Sequence, residues 1–378
     1  MNRLPVTLIG GFFGAGKTSL LHHIISEHRG GWIAVLVDNP GALNLDAKAL
    51  RGLCGAMRRT HDVVLEIPPG DDASQLDWIA ARLHEFAASG RFEHVLIEVS
   101  GTTNAASLAH HFGVVGGAST FSAWVELEQI VCVVDALDYF RAARGPASEA
   151  ALWNFQNEQI ADATLIVLNK CDLLEEQDLE LCRRALQQAH HPGLIIETAY
   201  GEIPPEVWAQ PAARVIWENI AQRREKAANE TDAPPLATAL YRIHRPFHPQ
   251  RFWNWFDAEH AGLLRVKGLI WLATRNLLVG GVSRTRWQNG CGAAGIWWAA
   301  LPREEWPDEP AALMGMQELW REPYGDRRQE LVLIGDPLLL DTVMRRQLDA
   351  CLLTEDEFAR TPAEWSTFPD PFPAWDLE

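Results

Sequence analysis

No Cys-x-x-Cys pair occurs anywhere in these 378 residues. Cys54, Cys132, Cys171, Cys182, Cys291 and Cys351 stand singly, so neither a disulfide framework nor a thiolate zinc knuckle is expected, and they read as reduced structural thiols. No apolar run reaches the roughly 20 residues that cross a bilayer. The longest, such as HVLIEV, QIVCVV and ATLIVL, are strand-sized. The N-terminus has no signal-peptide core or cleavage site, because its apolar run leads straight into a glycine loop. A soluble, cytoplasmic protein without membrane contact is expected. Positive charge is also scarce. With 33 Lys and Arg against 50 Asp and Glu, the formal charge of −17 repels a phosphate backbone, and nucleic acid is not expected as a partner. The one basic cluster is RREK at 223–226.

What is abundant is the short buried strand. LPVTLIG, GGWIAVLVD, HDVVLEI, FEHVLIEVS, LEQIVCVVDA, ADATLIVLNK and GLIIET alternate with helix-length amphipathic stretches. Near-continuous Val, Ile and Leu runs suit strands covered on both faces, with helices as crossovers. The fold class expected is α/β, a P-loop NTPase with a doubly wound, mainly parallel sheet. The segment AQRREKAANETDAPP is polar and ends in Pro-Pro, the composition of a linker. The expected division is a nucleotide-binding domain over 1–220, a linker over 221–235 and a smaller α+β domain over 236–378. Ten of the sixteen tryptophans follow residue 235, with strand-like runs ATALYRIH, LIWLATR, AGIWWAAL and ELVLIG. Helices are expected to start at Pro249 and Pro337, where a missing N–H costs nothing. The tail EWSTFPDPFPAWDLE should pack as an extended segment.

Gly11-Phe12-Phe13-Gly14-Ala15-Gly16-Lys17-Thr18 matches G-x-x-x-x-G-K-[ST] between a strand and the helix TSLLHHIISEH. Its backbone N–H groups, including those of Gly14, Ala15, Gly16 and Ser19, are expected to cradle phosphates at the positive end of the helix. Lys17 should reach the β- and γ-phosphates, and the Thr18 hydroxyl should ligate Mg²⁺.

Asn169-Lys170-Cys171-Asp172 follows the strand ATLIVL, where an N-K-x-D loop would close a base pocket. The Asp172 carboxylate suits the N1–H and 2-amino hydrogens of guanine. Adenine offers neither, so ATP would leave a buried charge unpaired at a penalty of about 1–3 kcal/mol or more. Asn169 would tie the loop to the phosphate loop or to the guanine edge, and the Lys170 stem would lie over the ring. Backbone N–H groups near Thr198 and Ala199 would complete the pocket. Glu98, ending HVLIEVSG, is placed to hold a Mg²⁺-bound water or to assist catalysis, and the Gly101 N–H to sense the γ-phosphate. The competing role for Glu98 is to cap the next helix. Asp46, in VDNPGALNLD, is the first-switch residue assigned to Mg²⁺.

GGFFGAGKTSLL, VLIEVSG, VVDA (133–136), VLNKCDL, YRIHRPFHPQRF, LRVKGLIWLATR and YGDRRQELVLIG together resemble the CobW-type P-loop GTPases, in the branch of zinc metallochaperones with a long C-terminal domain. The resemblance runs nearly end to end, including DACLLTEDEF and FPDPFPAW. It implies a SIMIBI-class GTPase that delivers a transition metal, most often zinc, to a client metalloprotein. That family holds its metal with Cys-x-Cys-Cys and a Glu of an NEFGE-like segment. Here VVLEIPPGDDASQL (63–76) has no cysteine, and Asn39 and Ala42 occupy the acidic positions of the other pattern. Asp71 and Asp72 lie near the missing thiolates, but Pro-Gly-Asp is turn chemistry and carboxylates favour harder metals than Zn²⁺. The doublets His22-His23, His110-His111 and His190-His191 supply one ligand each at best. His244 and His248 read as a packed strand-to-helix corner.

The resulting expectation is a Mg²⁺-dependent GTPase of metal homeostasis or metallocentre assembly, with Zn²⁺ as a possible cargo whose usual ligands are absent. Lys17 and Glu98 are its catalytic candidates. Without a water-orienting glutamine, slow turnover is expected. The alternative is a nucleotide-dependent regulatory adaptor that no longer carries metal, and an ATP-dependent kinase is disfavoured by NKCD.

Overall fold

The computed structural model describes residues 3–38, 62–68, 70–101, 103–113, 121, 123–144, 150–189, 193–227, 236–306 and 310–375. The chain divides into two compact units, Met1–Pro234 and Pro235–Glu378.

In the first unit, β1 (Leu4–Gly10), β2 (Trp32–Asp38), β3 (Val63–Ile67), β4 (Phe92–Glu98), β5 (Val125–Asp135), β6 (Leu165–Asn169) and β7 (Leu194–Glu197) form one sheet in the order β3-β2-β4-β1-β5-β6-β7. Every pairing is parallel, so each connection must cross a face of the sheet. The crossovers include helices α1 (Lys17–Glu27), α2 (Asp72–Ser89), α3 (Ala105–Ala109), α4 (Ala136–Ala142), α5 (Ala150–Ala161) and α6 (Glu176–Ala189). Side-chain alternation along β1 shows both faces covered. Val6 and Leu8 pack with Leu83 and Phe86 of α2, while Ile9 turns the other way toward Leu21 and Ile24 of α1. This is the P-loop NTPase-type α/β fold that the buried strand runs imply. Beyond the crossovers, helix α7 (Arg214–Ala227) extends into the stretch read from sequence as linker.

The second unit is a smaller α+β structure. Its strands β8 (Ala237–Ile243), β9 (Leu263–Ile270), β10 (Leu278–Thr285), β11 (Asn289–Ile296) and β12 (Gln329–Gly335) pair antiparallel in the order β11-β10-β9-β12-β8. Helix α8 (Pro249–Asp257) begins at its proline, and its Phe252 and Phe256 join the core with Val266 and Leu331. From Pro337 the chain is helical to Asp349, with a π-helical turn over Leu339–Met344.

Three local expectations change. LIWLATR is strand only at its first two residues, because Trp271 leaves the ladder: its N–H donates to the Gln329 side chain at 3.0 Å and its carbonyl accepts from Gln329 Nε2 at 2.9 Å. AGIWWAAL leaves its strand at Ile296 and turns through a 3₁₀ segment, Trp298–Ala300. In the tail, Glu364 and Trp365 close a short helix with a capping box from Thr361. The rest of the tail is pinned by Arg275, which donates to both Asp370 carboxylate oxygens at 2.8 and 3.0 Å and to the Phe372 and Pro373 carbonyls.

Candidate nucleotide site

Parallel strands present all their carboxyl ends along one edge, and here that edge gathers the chemistry. In register, Glu98 lies beside Ile9 and Val37, and Asp135 lies beside Asn169. The ends of β2 and β4 are tied by Ser100 N–H to Asp38 Oδ2 at 3.2 Å, and those of β4 and β1 by Val99 N–H to the Ile9 carbonyl at 2.9 Å.

The phosphate loop follows β1. Gly11 and Gly16 hold φ of 127° and 106°, which side-chain-bearing residues rarely adopt. Space is equally decisive: a Cβ on Gly11 would strike the Val133 carbonyl of β5, and one on Gly16 would strike Asn169 Nδ2. The loop therefore lies flush against two neighbouring strand ends. Lys17 opens α1, is buried, and donates from Nζ to the Gly11 and Phe12 carbonyls at 2.8 and 3.3 Å. Its charge thus sits within the curl of the loop. Thr18 is half-buried and Ser19 exposed in the same turn, and no acidic residue there offsets the helix's positive end. Beneath the loop, burial pushes the Cys132 thiol up to about 12 against the opposing pull of the Lys17 charge.

Glu98 is buried at the end of β4. It does not cap the following helix, because Asn104 does, its side chain accepting from Ala106 N–H at 3.0 Å. Gly101 lies against the Phe13 ring, and its carbonyl accepts from Gln159 Nε2 at 3.4 Å. Asp46 and the Asn39–Ala42 positions fall outside the described residues.

The loop after β6 is fastened from both sides. Asn169, 1% exposed, donates from Nδ2 to the Ala15 carbonyl at 2.8 Å and accepts at Oδ1 from Gly201 N–H at 2.9 Å. It joins the phosphate loop to the loop after β7. Lys170 takes a left-handed φ of 60°, and its ammonium lies 2.6 Å from Asp135 Oδ2. Asp172 is exposed, in the 3₁₀ turn Cys171–Leu173. One of the two backbone groups expected to complete the pocket is already taken. The Thr198 N–H is engaged with the Leu168 carbonyl at 2.9 Å, so it cannot serve a base. Tyr200, at φ 58° and 75% exposed, is the prominent side chain of that loop.

Asp135 is the site-edge residue that sequence reasoning passed over. Its signal in the sequence was a carboxylate ending a buried strand; the register that sets it beside Asn169 appears only in the sheet. Buried polar side chains also line a small pocket beside the phosphate loop, where Gln156 Nε2 donates to Asp138 Oδ2 at 2.8 Å.

The transition-metal candidates do not assemble. Asp71 is the N-cap of α2, accepting from Ser74 N–H at 2.9 Å and from the Ser74 hydroxyl, and those bonds hold its carboxyl below the usual range. Asp72 is the first residue of α2. His244 Nδ1 faces the Arg327 carbonyl at 3.2 Å. His248 stacks on Phe368 with centroids 4.9 Å apart, and burial, then the Arg251 charge, lowers its pKa. Burial also pushes the Cys171 and Cys182 thiols up to about 11, disfavouring the thiolate a metal requires. Among the described residues no group of three His, Cys, Asp or Glu is placed to hold a metal ion, and no helix is long and apolar enough to cross a membrane. His190 and His191 are outside the described residues.

Residues 5–196 match the family model described as CobW/HypB/UreG, nucleotide-binding domain, and residues 236–352 match that of the cobalamin synthesis protein cobW C-terminal domain. The chain is 26% identical over 401 residues to zinc-regulated GTPase metalloprotein activator 1 of Dictyostelium discoideum, an alignment covering 98% of this chain and 84% of that protein. It is 28% identical over 215 residues to the zinc chaperone CobW of Sinorhizobium sp, covering 53% of this chain and 60% of that one. Among solved structures, the Zn(II)-bound YjiA GTPase from E. coli aligns with 93% of this chain and 100% of its own at 16% identity, with a TM-score of 0.39.

Proposed function

The chain belongs to the CobW/HypB/UreG family, and from that footing we propose that it is a Mg²⁺-dependent protein that binds and hydrolyses GTP in metal homeostasis or metallocentre assembly, with zinc as the favoured cargo and a metalloprotein as client. The observation that carries the nucleotide reading is the Asn169 bridge. It fastens the Asn169–Asp172 loop to the phosphate loop and to Gly201, which supports reading Asp172 as the base-selecting carboxylate of the same site.

Within this reading, Lys17 neutralises the β- and γ-phosphates, and the loop backbone with the α1 N-terminus binds their oxygens. Thr18 and Glu98 offer hard oxygen donors of the kind Mg²⁺ prefers, and the ion when bound would neutralise charge on the terminal phosphates. Asp172 selects guanine by accepting two N–H hydrogen bonds. Titration calorimetry with GTP and ATP tests the base assignment, together with Asp172→Asn. The variant should lose GTP affinity and gain affinity for xanthosine triphosphate, whose 2-oxo group accepts where guanine donates. Undiminished GTP affinity in the variant sinks the role of Asp172.

A second reading, the regulatory adaptor without cargo, draws on Asp71 serving as a helix cap and on the absence of cysteine from 63–76. Equilibrium dialysis with Zn²⁺, Co²⁺ and Mn²⁺ in the presence of GTP separates the two readings. A site tighter than micromolar supports the chaperone, and its absence supports the adaptor.

A further inference from the structure

Resting on the guanine-nucleotide reading, we propose that Asp135 is a positioning residue for base recognition: through its ion pair with Lys170 it holds the base-reading loop in the shape that presents Asp172.

Asp135 ends β5 beside Asn169 of β6, so its carboxylate emerges at the root of the loop. The two carboxylate oxygens act in different directions. Oδ1 accepts from Asp138 N–H at 3.0 Å and caps α4, which fixes the carboxylate plane. Oδ2 then meets the Lys170 ammonium at 2.6 Å. Both side chains are largely withdrawn from water, at 10% and 20% exposure, so solvent screens the pair far less than a surface bridge.

Lys170 needs such a partner. A left-handed φ strains a side-chain-bearing residue and persists only where the surroundings over-determine it. Among the described residues, the non-glycine residues in that region are Lys170 and Tyr200. Lys170 follows Asn169, and Tyr200 precedes Gly201, whose N–H is bonded to Asn169 Oδ1. Both strained residues therefore flank the same buried carboxamide, and strain of this kind gathers where a ligand is gripped. With its ammonium anchored on Asp135, the Lys170 stem is drawn across the mouth of the loop, and Asp172 leaves the turn in a set direction. The phosphate cradle has its own separate supports, Gly11 against Val133 and Lys17 on the loop carbonyls. Loss of the ion pair should therefore be felt at the base and not at the phosphates.

Asp135→Asn isolates this role, because asparagine caps a helix as well as aspartate does and the shape is kept while the charge is removed. GTP and ATP dissociation constants are measured by calorimetry for the full-length wild type, Asp135→Asn, Lys170→Met and the double variant, with circular dichroism confirming the fold of each. Asp135→Asn should weaken GTP by about tenfold, the scale of one charge-assisted hydrogen bond, leave ATP unchanged, and add nothing to Lys170→Met. The proposal is overturned if Asp135→Asn keeps wild-type discrimination, if it weakens GTP and ATP alike, or if the two substitutions add. Wild-type protein that binds GTP and ATP equally would overturn the guanine reading itself, and this role with it.

Discussion

Gly16 lies so close beneath the side chain of Asn169 that any carbon substituent on it would collide with Nδ2, the same nitrogen that donates to the Ala15 carbonyl at 2.8 Å. Glycine at this position thus does two things, turning the backbone through φ 106° and admitting the carboxamide. Gly16→Ala strains the first and displaces the second. Together they should cost about 2–4 kcal/mol and at least tenfold in GTP affinity. Thermal unfolding and calorimetry check both, and a variant that binds GTP normally contradicts the contact.

Glu98 is buried at the end of β4, in register with Ile9 of the strand that leads into the phosphate cradle, and Asn104 rather than Glu98 caps the next helix. Its replacement should therefore touch chemistry more than folding. Glu98→Gln keeps volume and removes the charge. It should leave GTP affinity within a few-fold while phosphate release falls at least about tenfold, measured in single-turnover assays with Mg²⁺. Unaltered hydrolysis would remove Glu98 from the catalytic set.

His94 of β4 sits with Nε2 2.9 Å from Thr7 Oγ1 and its ring against Trp208. Burial, and then the His28 charge, pushes its pKa down from 6.5 to about 4. Between those values the unfolded chain binds a proton that the folded protein refuses. Stability from this site is therefore whole above about pH 6.5 and is lost as pH falls toward 4, by at most about 3 kcal/mol. Urea unfolding near pH 7 and pH 4.5 should show a smaller loss in His94→Gln than in the wild type. Equal losses would mean that His94 titrates normally.

Asp370 accepts from Arg275, from the Thr274 hydroxyl at 2.6 Å and from Phe372 N–H at 3.0 Å. Burial raises its pKa, but the hydrogen bonds from Arg275 and Thr274 outweigh it and keep the carboxyl below its usual range. Asp370→Ala removes the charged partner of Arg275 and leaves it only the Phe372 and Pro373 carbonyls among its hydrogen-bond acceptors in the tail, a change worth about 1.5–3 kcal/mol, and should loosen the tail. Limited proteolysis should then cut near Pro373 at least tenfold faster, whereas an unchanged rate would show the tail held by its aromatic residues alone.

The seven parallel strands were legible because burial on both faces writes uninterrupted Val, Ile and Leu into the chain. The phosphate loop and the Asn169–Asp172 loop were legible because their chemistry is local in sequence. β10 was not. Its LVGGVSRT lacks a β-branched run, since Gly280 must leave room for Trp375 of the tail, a requirement set nearly a hundred residues away. Asp135 escaped for a related reason: its value depends on strand register with Asn169, which no spacing reveals. The Thr198 N–H could be assigned to a ligand only until the β6–β7 ladder claimed it.

The strand order also has a history. β1 is synthesised before the other strands of its sheet, yet it occupies the middle of that sheet, between β4 and β5. Its partners arrive some ninety to one hundred and twenty residues later, and such pairings cost loop-closure entropy before any contact forms. The phosphate loop is thus translated early and stays without its strand-end contacts until Val133 and Asn169 exist to press against Gly11 and Gly16. A nascent chain halted before residue 165 carries the whole G-x-x-x-x-G-K-T sequence but lacks the Asn169 carboxamide that bonds the Ala15 carbonyl.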